Sequence, residues 1–387
     1  MMIARQASAL SGGRLPHLEM LRGVAAVMVC VGHVRGFVLV DYAQRPTGPL
    51  AQLFYLFVGR HHQAVMIFFV LSGFLVGGSV IRAHERGLWS WRHYAIQRLG
   101  RLWIVIVPAL LLTLMWDSIG QAINATAYSG QLWPILLSGP PPGGGDRSLW
   151  ALLGNLAFLQ TILVPSFGSN GPMWSLANEF WYYLLFPLVL KAARPGVPWS
   201  RLLSGVAAGL LLLLLPVAIS VAFLIWLFGV GAYLIVASCH FRPAALRTIG
   251  MAASGALLMS MIASAKWPGW ITDFPIGLAC AGMIPWLTVA RDLGDGYRRC
   301  GHTLSEISYT LYLVHFPMLM FLYATLLAPR QFPLSAASAG MMAALVIISL
   351  LYATTIWFLF ERNTDRWRRV LETWLLHSSD RAVREGG

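Results

Sequence analysis

The sequence predicts an all-α integral membrane protein, a bundle of about ten transmembrane helices with both termini in the cytoplasm. Three observations lead there. Only 11% of the 387 residues are charged, where a soluble domain has about 25%. Hydrophobic residues make up 57% and the mean hydropathy is +0.66, more apolar material than soluble cores hide. These residues also fall in runs close to the ~20 that cross a bilayer. Lys and Arg number 28 against 15 Asp and Glu, a net charge of +13. The cations punctuate apolar runs instead of gathering on one soluble face, which argues against a nucleic-acid reader. Cys30, Cys239, Cys280 and Cys300 form no CxxC pair, so neither redox chemistry nor structural zinc is indicated.

The first run, 20–40, follows Arg5 and Arg14 with no small-residue cleavage site and reads as an uncleaved span. Runs 64–81, 99–116 and 173–190 come next. The stretch 202–237 is too long for one crossing, and Pro216 divides it. Runs 249–265, 271–290, 307–328 and 336–360 complete the ten. With both ends inside, only Arg35, Arg45, Arg60, Arg147, Lys266 and Arg330 of the 28 cations fall outside, as the positive-inside rule requires.

The organisation expected is a cytoplasmic segment 1–17, a membrane domain 18–362 with a long outer loop at 117–172, and a cytoplasmic tail 363–387. An eleventh candidate, 149–164, is short and carries Asn155 and Gln160. It reads as a re-entrant or interfacial helix within that loop. The Pro-Pro-Pro-Gly-Gly-Gly run at 140–145 cannot be helical.

An ionisable side chain inside a span is costly and marks a functional candidate. Arg22 and His33 are eleven residues apart, which at about 100° per residue is three turns plus roughly 20°, so both lie on one face about 16 Å apart. One ligand could touch both; alternatively Arg22 snorkels to headgroups and His33 satisfies a carbonyl. In the Phe-Phe-Val-Leu-Ser-Gly-Phe run at 68–74, Ser72 and Gly73 let another helix approach closely, with direct chemistry at Ser72 as the other reading. Arg98 and Arg101 share a helical face and either fork around a phosphate or anchor the chain at the inner surface.

The run 171–183 opens a helix at Pro172 and sets Ser175 and Glu179 one turn apart. Glu179 reads as the one carboxylate well inside a span, suited to proton exchange or hydroxyl binding, or else to bracing the outer loop. In 307–317, Pro317 frees the carbonyl of Leu313, and His315 beside it reads first as a structural hydrogen-bonding group. Glu361 and Arg362 end the tenth span as an anchoring pair.

Six of these motifs, in this order, resemble the membrane acyltransferase 3 family, which O-acylates carbohydrates at the bacterial envelope and, in some members, antibiotics or other small acceptors. They are Arg22-x10-His33, the 68–74 run, Arg98-x-x-Arg101, Trp-Ser-Leu-Ala-Asn-Glu-Phe with Ser175 and Glu179, Ser-Tyr-Thr-Leu-Tyr-Leu-Val-His-Phe-Pro, and the final Phe-Glu-Arg. Two departures stand out: Ala64 and Met66 occupy positions where many relatives have Gly and Asp, and the small hydrolase-like domain fused to some members is not found in these residues.

The resemblance implies a multi-pass protein of the bacterial cytoplasmic (inner) membrane, surrounded by lipid, that takes acyl-coenzyme A from the cytoplasm, acetyl-coenzyme A most often. Its acceptor would be a carbohydrate hydroxyl, lipid-linked or free, on or near the outer side. Arg22, Arg98 and Arg101, with Ser72, would bind the donor. His33 would be general base without metal, Glu179 would orient the acceptor or His33, and Ser175 would bond the acceptor or support Glu179. A two-step route through an acylated enzyme is the variant. Other classes fit ten spans with sparse polar groups: a secondary transporter or flippase of a glycan or lipid-linked sugar, for which no inverted halves are found, and a sensor or scaffold without turnover. The outer loop has no readable acceptor code; Trp133, Trp150 and Trp174 either stack on sugar faces or anchor at the interface.

Overall fold

The chain was analysed as a computed structural model that describes residues 13–41, 48–136, 139–238, 241–267, 269–291, 293–364 and 366. Arg5, Arg45, Cys239 and the cations of the tail beyond 366 lie outside the described residues, as do most of the segments predicted at 1–17 and 363–387.

Each of the ten predicted runs lies on a helix. In order these are α1 (Pro16–Val38), α2 (Pro49–Val58), α3 (His61–Ser72), which passes through a π turn (Gly73–Gly77) into α4 (Gly78–Glu85), α5 (Trp91–Ile123), α6 (Ala125–Tyr128) and α7 (Leu149–Leu156). Then follow α8 (Trp174–Ala193), α9 (Pro198–Leu214), α10 (Val217–Ser238), α11 (Pro243–Ala263), α12 (Trp270–Val289), α13 (Asp295–Leu322) with a π turn (Tyr323–Leu327), and α14 (Ala336–Leu359). Among the described residues, eight helical stretches are long and apolar enough to cross a membrane. The two predicted spans outside that set are α8, which carries Glu179 and Lys191, and α9, only 17 residues long.

Helices outrun the apolar runs because hydropathy marks only the lipid-depth part of each. α5 has 33 residues, about 50 Å against a hydrocarbon core of about 30 Å. Residues 117–123, read as the start of the outer loop, are its last turns. Asp117, 1% exposed, is therefore a buried carboxylate carried on a helix. It accepts from the backbone N–H of Ser169 at 2.7 Å and from its hydroxyl at 2.6 Å.

The eleventh candidate becomes α7, eight residues or about 12 Å long, followed by turns. Its polar residues explain why. Asn155 donates to the carbonyls of Ala151 and Pro165 and accepts from the N–H of Phe167, and Gln160 donates to the carbonyl of Met173. These buried hooks fold the loop on itself.

At the centre, α1 and α13 pack more extensively than any other helix pair. A Cβ at Gly23 would stand 2.4 Å from Leu304 Cβ, so only glycine lets the two axes come this close. α3 and α10 cross as tightly at the π turn: a Cβ on Gly73 would lie 1.9 Å from the Trp226 carbonyl oxygen, and one on Gly229 2.0 Å from that of Val70. The close helix approach expected at Ser72 and Gly73 is thus present. Leu313, freed by Pro317, offers its carbonyl to Asn170 Nδ2 at 2.8 Å, which ties the 166–171 loop to α13.

Candidate active site

Two cavities stand end to end along α1. The narrower, about 130 Å³, is lined by Arg22, Ser72, Arg98, Arg101, Ser175 and Glu179 among apolar and tyrosine side chains. The wider, about 530 Å³, is lined by His33, His61, His62, Trp133, Asp146 and Trp174 and by the loop segments 139–146 and 161–172. Val65 and Tyr312 line both. Arg22 and His33 do share a face: α1 is unbroken between them, and Val29, at the matching position, lines the wider cavity with His33. The two cavities meet at these shared side chains, Val65 and Tyr312.

In the narrow cavity Arg98 is committed. Its Nη2 donates to Ser79 Oγ at 2.9 Å, and the guanidinium lies over Tyr94 at 5.5 Å and Tyr183 at 5.7 Å. Arg22 and Arg101 are different: both are half-buried and line the cavity, yet neither has a hydrogen-bond or ion-pair partner among the described residues. A guanidinium removed from water needs an anion or acceptors. These two present their donors to the cavity.

Glu179 sits in this cavity, apart from His33. Its Oε1 accepts from Ser72 Oγ at 2.9 Å and from the Tyr183 hydroxyl. Ser72 in turn accepts from Trp226 Nε1 at 3.1 Å. The expectation that Glu179 orients His33 therefore has no contact behind it, and Ser72 spends its hydroxyl on Glu179. Ser175 does not reach Glu179 either. It bonds the Tyr312 hydroxyl at 2.6 Å, and Tyr312 donates to the Pro172 carbonyl at 2.8 Å. Ser175 and Tyr312 mark the boundary between the cavities.

His33 is 6% exposed and His315 fully buried. His33 Nδ1 lies 2.8 Å from His315 Nε2, and His315 Nδ1 lies 2.7 Å from the Leu311 carbonyl oxygen. His61 leans on His33 with ring centroids 4.9 Å apart. Next to it His62 Nε2 meets Asp273 Oδ2 at 2.9 Å and stacks on Trp174 at 5.9 Å. Of the three tryptophans singled out, Trp133 and Trp174 line the wide cavity, whereas Trp150 is 64% exposed. No described group of His, Cys, Asp and Glu is arranged to hold a metal ion.

Sequence reasoning passed over His61, His62, Asp273 and Tyr312. The first two precede the apolar run at 64 and so counted as loop, although α3 begins at His61. Asp273 was legible as an acid in the first turn of an apolar helix. Tyr312 lies one turn before His315 on α13, and nothing in its spacing sets it apart from the other tyrosines of that run.

An apolar helical bundle holding a basic slot and a histidine-lined chamber that share Val65 and Tyr312 can serve group transfer within a membrane. The acyltransferase 3 family, described as an acyltransferase domain, matches residues 15–360, and this chain belongs to it. Among curated proteins it is similar to acyltransferase MdmB of Streptomyces mycarofaciens, 31% identical over 205 residues, 51% of this chain and 45% of that protein. The match thus spans less than half of the relative. No solved structure matches the chain. Membership of a family described as an acyltransferase domain favours that reading over the transporter and the scaffold.

Proposed function

We propose that this acyltransferase moves an acyl group, acetyl in the first instance, from cytoplasmic acyl-coenzyme A to a hydroxyl of an envelope or exported carbohydrate. It would do so in a bacterial inner membrane, crossing ten times with both ends in the cytoplasm. One observation carries the reading: Arg22 and His33 occupy one face of α1 and open into two cavities that abut at Val65 and Tyr312.

Arg22 and Arg101, unpartnered among the described residues, take phosphate oxygens of the donor by charge-assisted hydrogen bonds, with Arg98 beside them. A slot of about 130 Å³ suits a thin pantetheine arm, which would bring the thioester to the wall near Ser175. The acceptor enters the 530 Å³ chamber, where Trp133 and Trp174 offer faces for a sugar ring. His33 Nε2 removes the acceptor's proton as its oxygen bonds to the thioester carbonyl carbon. The carbon–sulfur bond then breaks, and the departing thiolate takes that proton from His33. Glu179 offsets the arginine charge and stays outside the proton path.

The test uses purified protein in lipid nanodiscs with labelled acetyl-coenzyme A and a panel of bacterial envelope glycans. Acceptor-dependent release of free thiol with label on the glycan supports the assignment. Thiol release without labelled glycan, or none across the panel, overturns the donor–acceptor pairing.

A further inference from the structure

Two polar contacts in line fix where the protons of the histidine pair reside. A carbonyl oxygen only accepts, so His315 Nδ1, 2.7 Å from the Leu311 oxygen, carries a hydrogen. In the neutral ring Nε2 is then bare. It lies 2.8 Å from His33 Nδ1, so His33 donates through Nδ1 and keeps its lone pair on Nε2. A doubly protonated His315 would reverse the inner bond, but that ring is fully buried and no described carboxylate contacts either imidazole. An ion there would lack a partner. The neighbours facing the pair include another imidazole, His61, the ring of Phe316, 5.0 Å from His33 edge-on, and the Tyr312 ring, 6.4 Å from His315. His33 Nε2 has no hydrogen-bond partner among the described residues, and His33 lines the wide cavity.

We propose that His315 is the positioning residue of this site: it holds His33 in the Nδ1–H tautomer and so aims the basic Nε2 into the wide cavity. Without His315, an imidazole has no reason to keep its proton on Nδ1, and a proton on Nε2 leaves nothing to accept from the acceptor hydroxyl. When His33 Nε2 takes that proton, the Nδ1–H donor becomes cationic and its bond to His315 strengthens as a charge-assisted one. A neutral imidazole, itself anchored by a backbone carbonyl, thus does what a carboxylate does behind the histidine of other acyl-transfer sites. The structural hydrogen bond expected of His315 and a role in the chemistry are one contact. The kinetic part of this inference rests on the proposed function; the tautomer does not.

The experiment therefore has two independent readouts on full-length protein in lipid bilayers. Solid-state NMR of ring-labelled histidine, with His33→Ala identifying the His33 signals, reports the tautomer. His33 should be Nδ1–H in the wild type, remain so in His315→Gln, whose amide oxygen can still accept, and become Nε2–H in His315→Leu. Turnover of acetyl-coenzyme A by His315→Leu should fall about 100-fold or more in kcat with donor KM within about twofold, and His315→Gln should recover to within about tenfold of the wild type. An Nε2–H tautomer for His33 in the wild type overturns the proposal. So does an unchanged tautomer in His315→Leu, or wild-type kcat in that variant. If no preparation turns over, the proposed function fails while the tautomer measurement still decides the pairing.

Discussion

Ser72 holds Glu179. Its hydroxyl donates to Oε1 at 2.9 Å while accepting the Trp226 indole N–H at 3.1 Å, so a residue of α3 joins the helices that flank it. Ser72→Ala would leave the Trp226 indole N–H without its acceptor and Glu179 Oε1 with the Tyr183 hydroxyl alone, a loss of about 1–3 kcal/mol. The expected result is a lower midpoint of thermal unfolding in detergent with donor KM unchanged. A raised donor KM at full stability would instead make Ser72 a donor contact.

His33→Ala should abolish transfer, a loss of about 100-fold or more, while the protein still inserts and elutes as the wild type on gel filtration. Near-normal transfer by this variant in nanodiscs removes His33 from the chemistry.

Arg101 lines the narrow cavity and is unpartnered among the described residues. Arg101→Gln should raise the donor KM roughly tenfold or more, in line with about 1.5–3 kcal/mol for a charged hydrogen bond, and leave acceptor KM within about twofold. Equal effects on both constants would mean that the guanidinium shapes the bundle and does not grip the donor.

Gly73→Ala should lower the yield of folded protein, because the new methyl would stand 1.9 Å from a backbone oxygen that cannot step aside without moving α10. Overpacking of this kind costs about 1–3 kcal/mol or more. Gly231→Ala, with open space at the same atom position, is the control and should express normally.

Asn170→Leu should uncover the Leu313 carbonyl that the Asn170 amide now satisfies and loosen the loop that lines the wide cavity. A stability loss of about 1–3 kcal/mol, together with a raised acceptor KM, is expected from parallel unfolding and kinetic measurements.

Much of this architecture could be read from the residues. Each run of apolar side chains fell on a helix, and the small pair at Ser72 and Gly73 located a helix crossing, since both follow from period and size alone. The eleven-residue interval placed Arg22 and His33 on one face of α1 because helical geometry is fixed. Partner choice was not legible. Whether Ser175 meets Glu179 or Tyr312 depends on how α8 is turned against α13, and no local pattern encodes that rotation. The same holds for His315, whose spacing gave a hydrogen bond but not the ring at its other end. Asp117 was misplaced for a different reason: hydropathy falls before α5 stops, so an acid bound for the interior looked like loop.

The two side chains common to both cavities, Val65 and Tyr312, bear on how the proposed reaction would coexist with an energised membrane. A continuous water-filled duct would short-circuit the ion gradients the cell lives on, and would let the reactive ester of the donor meet outside water with no alcohol present. Under the proposed assignment, two side chains facing both recesses would let the acyl carbonyl meet the acceptor while holding bulk water and the rest of each substrate apart.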